Sequence, residues 1–442
     1  MKKSKLLSLI LSVSLMTSLL VGCGANTNNS TTKAEEGTTK TESAKEVKIT
    51  FLNSKGEIQV QLEEAAVVFT QENPNVKVEV IAAAAGQSPF EKVSAMYASG
   101  NAPSLSMLDP GDIPKFSEKF VDLTNEKWVS DSSEGSLDSV KTSDGKVMAF
   151  PLTVEGTGII YNKDVLDKVG VDPKNIKTTN DLEEAFKKVK DGGVEALAIS
   201  PMDWSLAGHL LPISYATQSK DSKEVSKFLE DLKAGKVDLA KNTQFNGLID
   251  TLEMMKKYNI DIKDPLAGTY ENDQQYMGSG KVGFWFMGNW TWPQIKEFSG
   301  ENENFGFIPV PVSNIAEDYG NAGIPVGVTK YIGVDKENND ADQQAAAMKF
   351  LDWLVYSDKG QDILVNKSNI IPAFKNITLE PKDPLAKSIK SYMSDGKTIQ
   401  FMTVMPSDHW KEVGASMQKY LVNKIDKATL ATEVQNYWKN VK

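Results

Sequence analysis

Histidine, the commonest acid–base and metal-binding side chain, occurs twice in 442 residues, at His209 and His409. That leaves almost no material for a histidine metal centre or a Ser-His-Asp relay. There is no His-Glu-x-x-His, no Gly-x-Ser-x-Gly, no P-loop with its lysine and no EF-hand loop. Gly156-Thr157-Gly158 lacks the third glycine of a dinucleotide fingerprint and runs into Ile159-Ile160-Tyr161, a strand pattern where a helix is needed. Carboxylates number 59, enough that a pair suited to glycoside hydrolysis stays open on sequence alone. No catalytic residue, metal ligand or cofactor is expected. The chemistry the chain offers instead is stacking and hydrogen bonding. Of its eight tryptophans, Trp290 lies just past a strand at a Gly288-Asn289 turn, and Trp204 follows the strand end at Pro201-Met202-Asp203. Trp292 precedes Pro293 at a helix start, and Trp410 opens a helix after Pro406. Tryptophans at strand-to-helix rims can project into a cleft, where a flat ring meets an apolar ligand face. Trp128, Trp285, Trp353 and Trp438 fall within apolar patterns and are expected in the core. Glu155 offers two acceptor oxygens for ligand hydroxyls. Asn53, Lys55, Asp109 and Asp112 sit at strand ends, with Asn53 and Asp109 the better ligand candidates.

The elements that must hold these side chains read as α/β. Residues 47–52 alternate as a strand, Ile58, Leu62, Ala65, Ala66 and Phe69 fall at helical spacing before Pro74, and residues 76–81 alternate again. Strand, helix and strand in about 35 residues make a βαβ unit, and the pattern continues with a helix near 89–99 and a strand near 105–108. In mostly parallel sheets ligands gather at the carboxyl ends of strands, which puts residues 53–56 and 109–112 on a candidate rim. Later segments predict a capped helix over 179–190, strands over 196–200 and 282–287, a helix after an Asn339-Asp340 cap, and closing helices near 410–422 and 428–439.

The formal charge is −10, with no basic stripe of the kind that releases counterions from nucleic acid, so that partner is not expected. Lys2, Lys3 and Lys5 precede an apolar run over residues 6–21, which is too short and wrongly flanked for a membrane span and reads as an export signal. The lone cysteine, Cys23, follows it directly, and with no second cysteine the chain forms no internal disulfide. Residues 24–45 carry no aromatic and no aliphatic side chain larger than alanine, the composition of a tether that reaches on the order of 25 Å. A chain of this length divides into two domains more readily than it enlarges one core.

Leu20-Val21-Gly22-Cys23 resembles the lipobox of bacterial lipoproteins, in which the cysteine is acylated. Three further stretches resemble the maltose-binding-type branch of extracellular solute-binding proteins, the receptors of carbohydrate ABC importers. They are Phe150 through Asp164 with its Tyr161-Asn162-Lys163-Asp164, Met277 through Trp292, and Ala322-Gly323-Ile324 onward to Ser357-Asp358-Lys359-Gly360-Gln361. The resemblance implies a type II periplasmic-binding-protein-like clamp, with two lobes of mostly parallel sheet flanked by helices and a ligand cleft between them. The lobes implied are 46–152 plus about 326–376, and 153–325 plus about 377–442, after a signal peptide at 1–22 and a lipidated tether at 23–45. It also implies an oligosaccharide ligand, stacking roles for Trp290, Trp204 and Trp410, Glu155 on the back wall of the clamp, permease subunits as partners, a monomer, and a lipid anchor on the outer face of a Gram-positive cell membrane. Maltose itself is not implied, because the rim near Asp109 has no tryptophan. A polyamine or iron-complex cargo and a secreted glycosidase are the alternatives.

Overall fold

The computed structural model describes residues 45–83, 88–403, 405–406 and 408–441. The signal, Cys23 and the tether lie outside the described residues. Ten strands are described: β1 (Val47–Asn53), β2 (Val76–Ala82), β3 (Leu105–Leu108), β4 (Phe150–Asn162), β5 (Glu195–Ala198), β6 (Val282–Gly288), β7 (Phe305–Ile308), β8 (Ile324–Val334), β9 (Ile371–Pro372) and β10 (Thr398–Gln400). The opening βαβ unit forms as its periodicity requires. β1 and β2 pair in parallel over seven residues, and the helix Gln59–Glu72 between them buries Leu62, Ala65, Ala66 and Phe69.

Two strands organise everything else. β4 pairs antiparallel with β8 in a first sheet that contains β1, β2 and β3, then continues and pairs antiparallel with β6 and β7 in a second sheet that contains β5. The lateral pairs β1–β2 and β5–β6 are parallel, whereas the long central strands run against each other, and β8 keeps one parallel neighbour, β10. A strand that leaves one sheet to enter the next, and one that returns, must point opposite ways, so the antiparallel seam follows from the double crossing. The ladder between β4 and β8 shifts register near Thr153, next to the passage from one sheet to the other.

The glycines that suggested a nucleotide loop have another use. A Cβ on Gly156 would come within 2.7 Å of Ile389 Cδ1 and 3.1 Å of the Pro325 carbonyl, and one on Gly158 within 2.8 Å of the Ile308 carbonyl. They let the helix Pro384–Ser394 and the strands β7 and β8 close onto one face of β4. Side chains alternate along a strand, so Glu155 and Thr157 point to the other face.

Buried apolar side chains form two clusters. One gathers Phe51, Phe69, Trp128, Phe150, Phe350 and Leu354 around the first sheet and extends over one side of the second through Trp285, Phe307 and Ile389. The other gathers Phe186, Leu206, Tyr215, Phe284, Met417 and Trp438. The four tryptophans expected in the core are buried: Trp128, Trp285 and Trp438 are at most 1% exposed, and Trp353 packs against Phe69 and Phe350 while its Nε1 donates to Glu72 at 2.7 Å.

Candidate ligand site

Where β4 passes between the sheets, two unlike groups of side chains meet. The first is charged. Asn53, at the end of β1, is 1% exposed and spends its amide on a turn: its Oδ1 accepts from Lys55 N at 2.8 Å, and its Nδ2 donates to Lys55 O and Gln59 Oε1. The turn aims Lys55 inward. Lys55 Nζ lies 2.5 Å from Glu155 Oε1 and 2.6 Å from Glu57 Oε1, with the lysine side chain 6% exposed. Thr329 on β8 donates its hydroxyl to the other Glu155 oxygen. Burial alone would lower the Lys55 pKa, but the two carboxylates outweigh it and hold the ammonium above its ordinary range. Burial likewise pushes Glu57 up and Lys55 overrides it, so Glu57 sits below the usual carboxylate range. Nearby, Lys330 on β8 donates to Asp109.

The second group is aromatic. The segment Trp204–Leu210 is a wide π turn that follows β5, and a π turn places side chains at angles an α-helix does not offer. It carries Trp204 and His209. The His209 ring lies 5.0 Å from Trp290, 5.8 Å from Trp204 and 5.7 Å from Phe401, and Tyr270 meets Trp204 edge-on at 5.5 Å. Burial pushes His209 down to about 4, so it is a neutral imidazole at physiological pH. Asn289 ties this group to the crossing strand by accepting from Gly156 N at 3.0 Å. Aromatic faces beside a small set of aimed polar groups make a site for a ligand with apolar faces and hydroxyl edges. Among the described residues there is no cluster of three or more metal-ligating side chains.

A family model for bacterial extracellular solute-binding proteins matches residues 64–392, about three quarters of the chain. The chain belongs to that family. This solute-binding protein is 24% identical over 413 residues to an uncharacterised ABC transporter extracellular-binding protein of Pyrococcus horikoshii, covering 90% of this chain and 87% of the relative. It is 23% identical to the melibiose/raffinose/stachyose-binding protein MelE of Bacillus subtilis over 209 residues, 46% of this chain and 47% of that one. Its structure resembles RafE in complex with raffinose, with a TM-score of 0.74 at 18% identity, covering 89% of this chain and 99% of RafE. The two-lobed α/β clamp anticipated from the sequence is therefore the fold of this solute-binding protein.

The structure gathers some of the anticipated ligand residues and separates others. Trp204 and Trp290 both pack against His209, Glu155 belongs to the charged group and is followed by Gly156, whose N–H donates to Asn289 beside Trp290, and Asp109 pairs with Lys330. Trp410 is half-buried at the start of the helix His409–Leu421, its Cβ facing Gly208 in the π turn. Trp292 is 5% exposed and packs edge-on against Phe305 at 5.4 Å, beside the buried Ile295 of its own helix. Asn53 has its amide engaged in the turn, so its contribution runs through Lys55. Lys55 and Asp112, the weaker candidates at their strand ends, are both buried, Lys55 by its two carboxylates and Asp112 beside Lys115. The sequence reading passed over His209, Tyr270, Glu57 and Phe401. His209 alone had a signal to find: it stands five residues after Trp204 in the same rim segment.

Proposed function

We infer that this solute-binding protein captures an oligosaccharide between its two sheets and hands it to an ABC importer, without altering it. The observation that carries the reading is the convergence of Trp204, Trp290 and Tyr270, with Glu155 on the shared strand in the charged group that adjoins Tyr270 through Lys55 and Glu57. Aromatic faces match the C–H faces of a sugar ring, and a carboxylate matches its hydroxyls. The cavity lined by His209 and Phe401 is only about 10 Å³, so entry of an oligosaccharide requires the sheets to swing apart and close again. The names of related proteins support the same class: MelE, an arabinooligosaccharide-binding protein of Halalkalibacterium halodurans, and solved complexes with raffinose and stachyose. Trp290 and Trp204 act as stacking platforms, Trp410 as a further contact, and Asp109 as a rim group. The lobes divide as 46–152 with about 326–376, and 153–325 with about 377–442. Cys23 carries the lipid that holds a monomer at the outer face of the membrane beside the permease subunits. Tryptophan-fluorescence titration with raffinose, stachyose, arabino-oligosaccharides and chito-oligosaccharides tests the reading. A saturable change with one of them is expected, with the sugar recovered intact. Silence across the panel, confirmed by calorimetry, or appearance of cleaved sugar would overturn it.

A further inference from the structure

Behind Trp290 the crossing strand carries a polar notch. Thr157 lies two residues beyond Glu155 on the same face of β4, is 1% exposed, and stands opposite Gly288 in the β4–β6 ladder. Its Oγ1 has no hydrogen-bond partner among the described residues. The same holds for His209 Nδ1 in the π turn and for Gln400 Oε1 on β10, both enclosed atoms. These three residues come from three separate elements and line one cavity of about 10 Å³, together with Phe401, Pro325 and Met402. Buried polar atoms without partners are rare and costly, and three around one cavity are not accounted for by packing. The volume matches one oxygen atom, and two to four polar partners is what an enclosed oxygen requires.

We propose that Thr157, His209 and Gln400 form a hydroxyl-reading subsite, in which a single hydroxyl of the bound oligosaccharide seats in the notch beneath Trp290. The inference rests on the oligosaccharide reading and deepens it. The chemistry is specific. Gln400 Oε1 only accepts, so it receives the hydrogen bond from the hydroxyl; the Thr157 hydroxyl and, in its Nδ1–H tautomer, the neutral His209 ring each donate to the hydroxyl oxygen. A methyl group would leave all three unpaired, and a carboxylate or acetamido group is too large for the volume. A structural water would satisfy the same atoms, and the experiment separates the two sources.

The parent protein, Thr157→Val and Thr157→Ser are titrated calorimetrically with whichever of raffinose, stachyose, arabino-oligosaccharide or chito-oligosaccharide binds the parent most tightly, and with its singly deoxygenated analogues. Valine keeps the shape of threonine and removes the hydroxyl. Expected is a loss of about tenfold for Thr157→Val, recovery with Thr157→Ser, and disappearance of the loss for one deoxygenated analogue only. Undiminished binding by Thr157→Val, with or without a lowered melting temperature, would assign the notch to structural water and overturn the proposal. So would an equal loss for every analogue. Should no sugar of the panel bind the parent, the oligosaccharide reading fails first and takes this subsite with it.

Discussion

The charged and aromatic groups that face each other across β4 differ in how completely they are satisfied. On the side of the first sheet, Lys55, Glu57, Glu155 and Thr329 bond to one another, each Glu155 oxygen keeping a second acceptor site, and almost no surface of Lys55 or Glu155 reaches solvent. On the side of the second sheet, Trp204, His209, Trp290 and Phe401 touch through ring edges and faces, and His209 Nδ1 has no hydrogen-bond partner among the described residues. The contrast separates a fastening from a receiver. A closed ionic network fixes geometry and resists rearrangement, because breaking it leaves a charge stranded; ring contacts are less directional and can be exchanged for sugar faces at little loss.

The sharpest way to break this contrast is to remove Lys55, the cation that bonds both Glu57 and Glu155. Lys55→Met should leave Glu57 and Glu155 facing each other in a buried site and cost roughly 3 to 5 kcal/mol of folding stability, read from urea or thermal unfolding. Lys55→Met with Glu155→Gln should recover part of that loss. A Lys55→Met protein as stable as the parent would mean that the network fastens nothing.

Removing a ring from the other side should act on binding instead. Trp290→Ala is expected to weaken oligosaccharide affinity by about 1 to 3 kcal/mol, tenfold to a hundredfold, with a smaller change in the melting temperature. Trp292→Ala, two residues away in sequence but packed on Phe305, should show the reverse: a core loss of about 3 to 5 kcal/mol and undiminished affinity in the folded fraction. Calorimetric titration and melting curves on both variants decide whether the receiver ends where the core begins.

The smallest effect at neutral pH concerns acid. His209 titrates near 4 in the folded protein because burial disfavours its charged form, against about 6.5 unfolded. Its share of stability is therefore complete above pH 6.5 and lost as pH falls from there toward 4, because the unfolded chain takes up the proton first. His409, pushed down to about 3 by burial, adds a share of the same sign. His209→Phe should flatten the pH dependence of stability over this window, by nothing at neutral pH and by up to roughly 3 kcal/mol near pH 4, leaving the His409 share in place. An unchanged slope in the variant would show that the ring protonates as freely folded as unfolded.

Much of this was legible in the sequence, and for identifiable reasons. β1, β2 and β3 and the helices between them follow from local alternation and helical spacing, and the helix Ala341–Tyr356 begins at the Asp340 capping box that its Asn339-Asp340 cap announced. Trp290 and Trp204 were visible because a large ring just after a strand end has few places to go. Burial of Lys55 was not, since its partner Glu155 lies 100 residues away and a lysine in a turn reads as solvated unless that distant carboxylate is known to arrive. Trp292 shows the opposite difficulty. Its helix-start position resembles that of Trp290, and only the approach of Phe305 from β7 turns it inward. The antiparallel seam of β4 and β8 depends on pairings between residues more than 160 positions apart, beyond the reach of any local pattern.

One consequence follows from β4 belonging to both sheets. Glu155 and Thr157 stand on the same backbone that joins the two sheets, so under the proposed site the residues that would meet a cargo and the strand that sets the posture of the protein are mechanically one object. A cargo pressing on that strand twists the joint directly, with no relay of side chains in between. Occupancy is thereby written into the outline of the molecule, and substitutions that refine the fit of a cargo at these two positions also reset the outline.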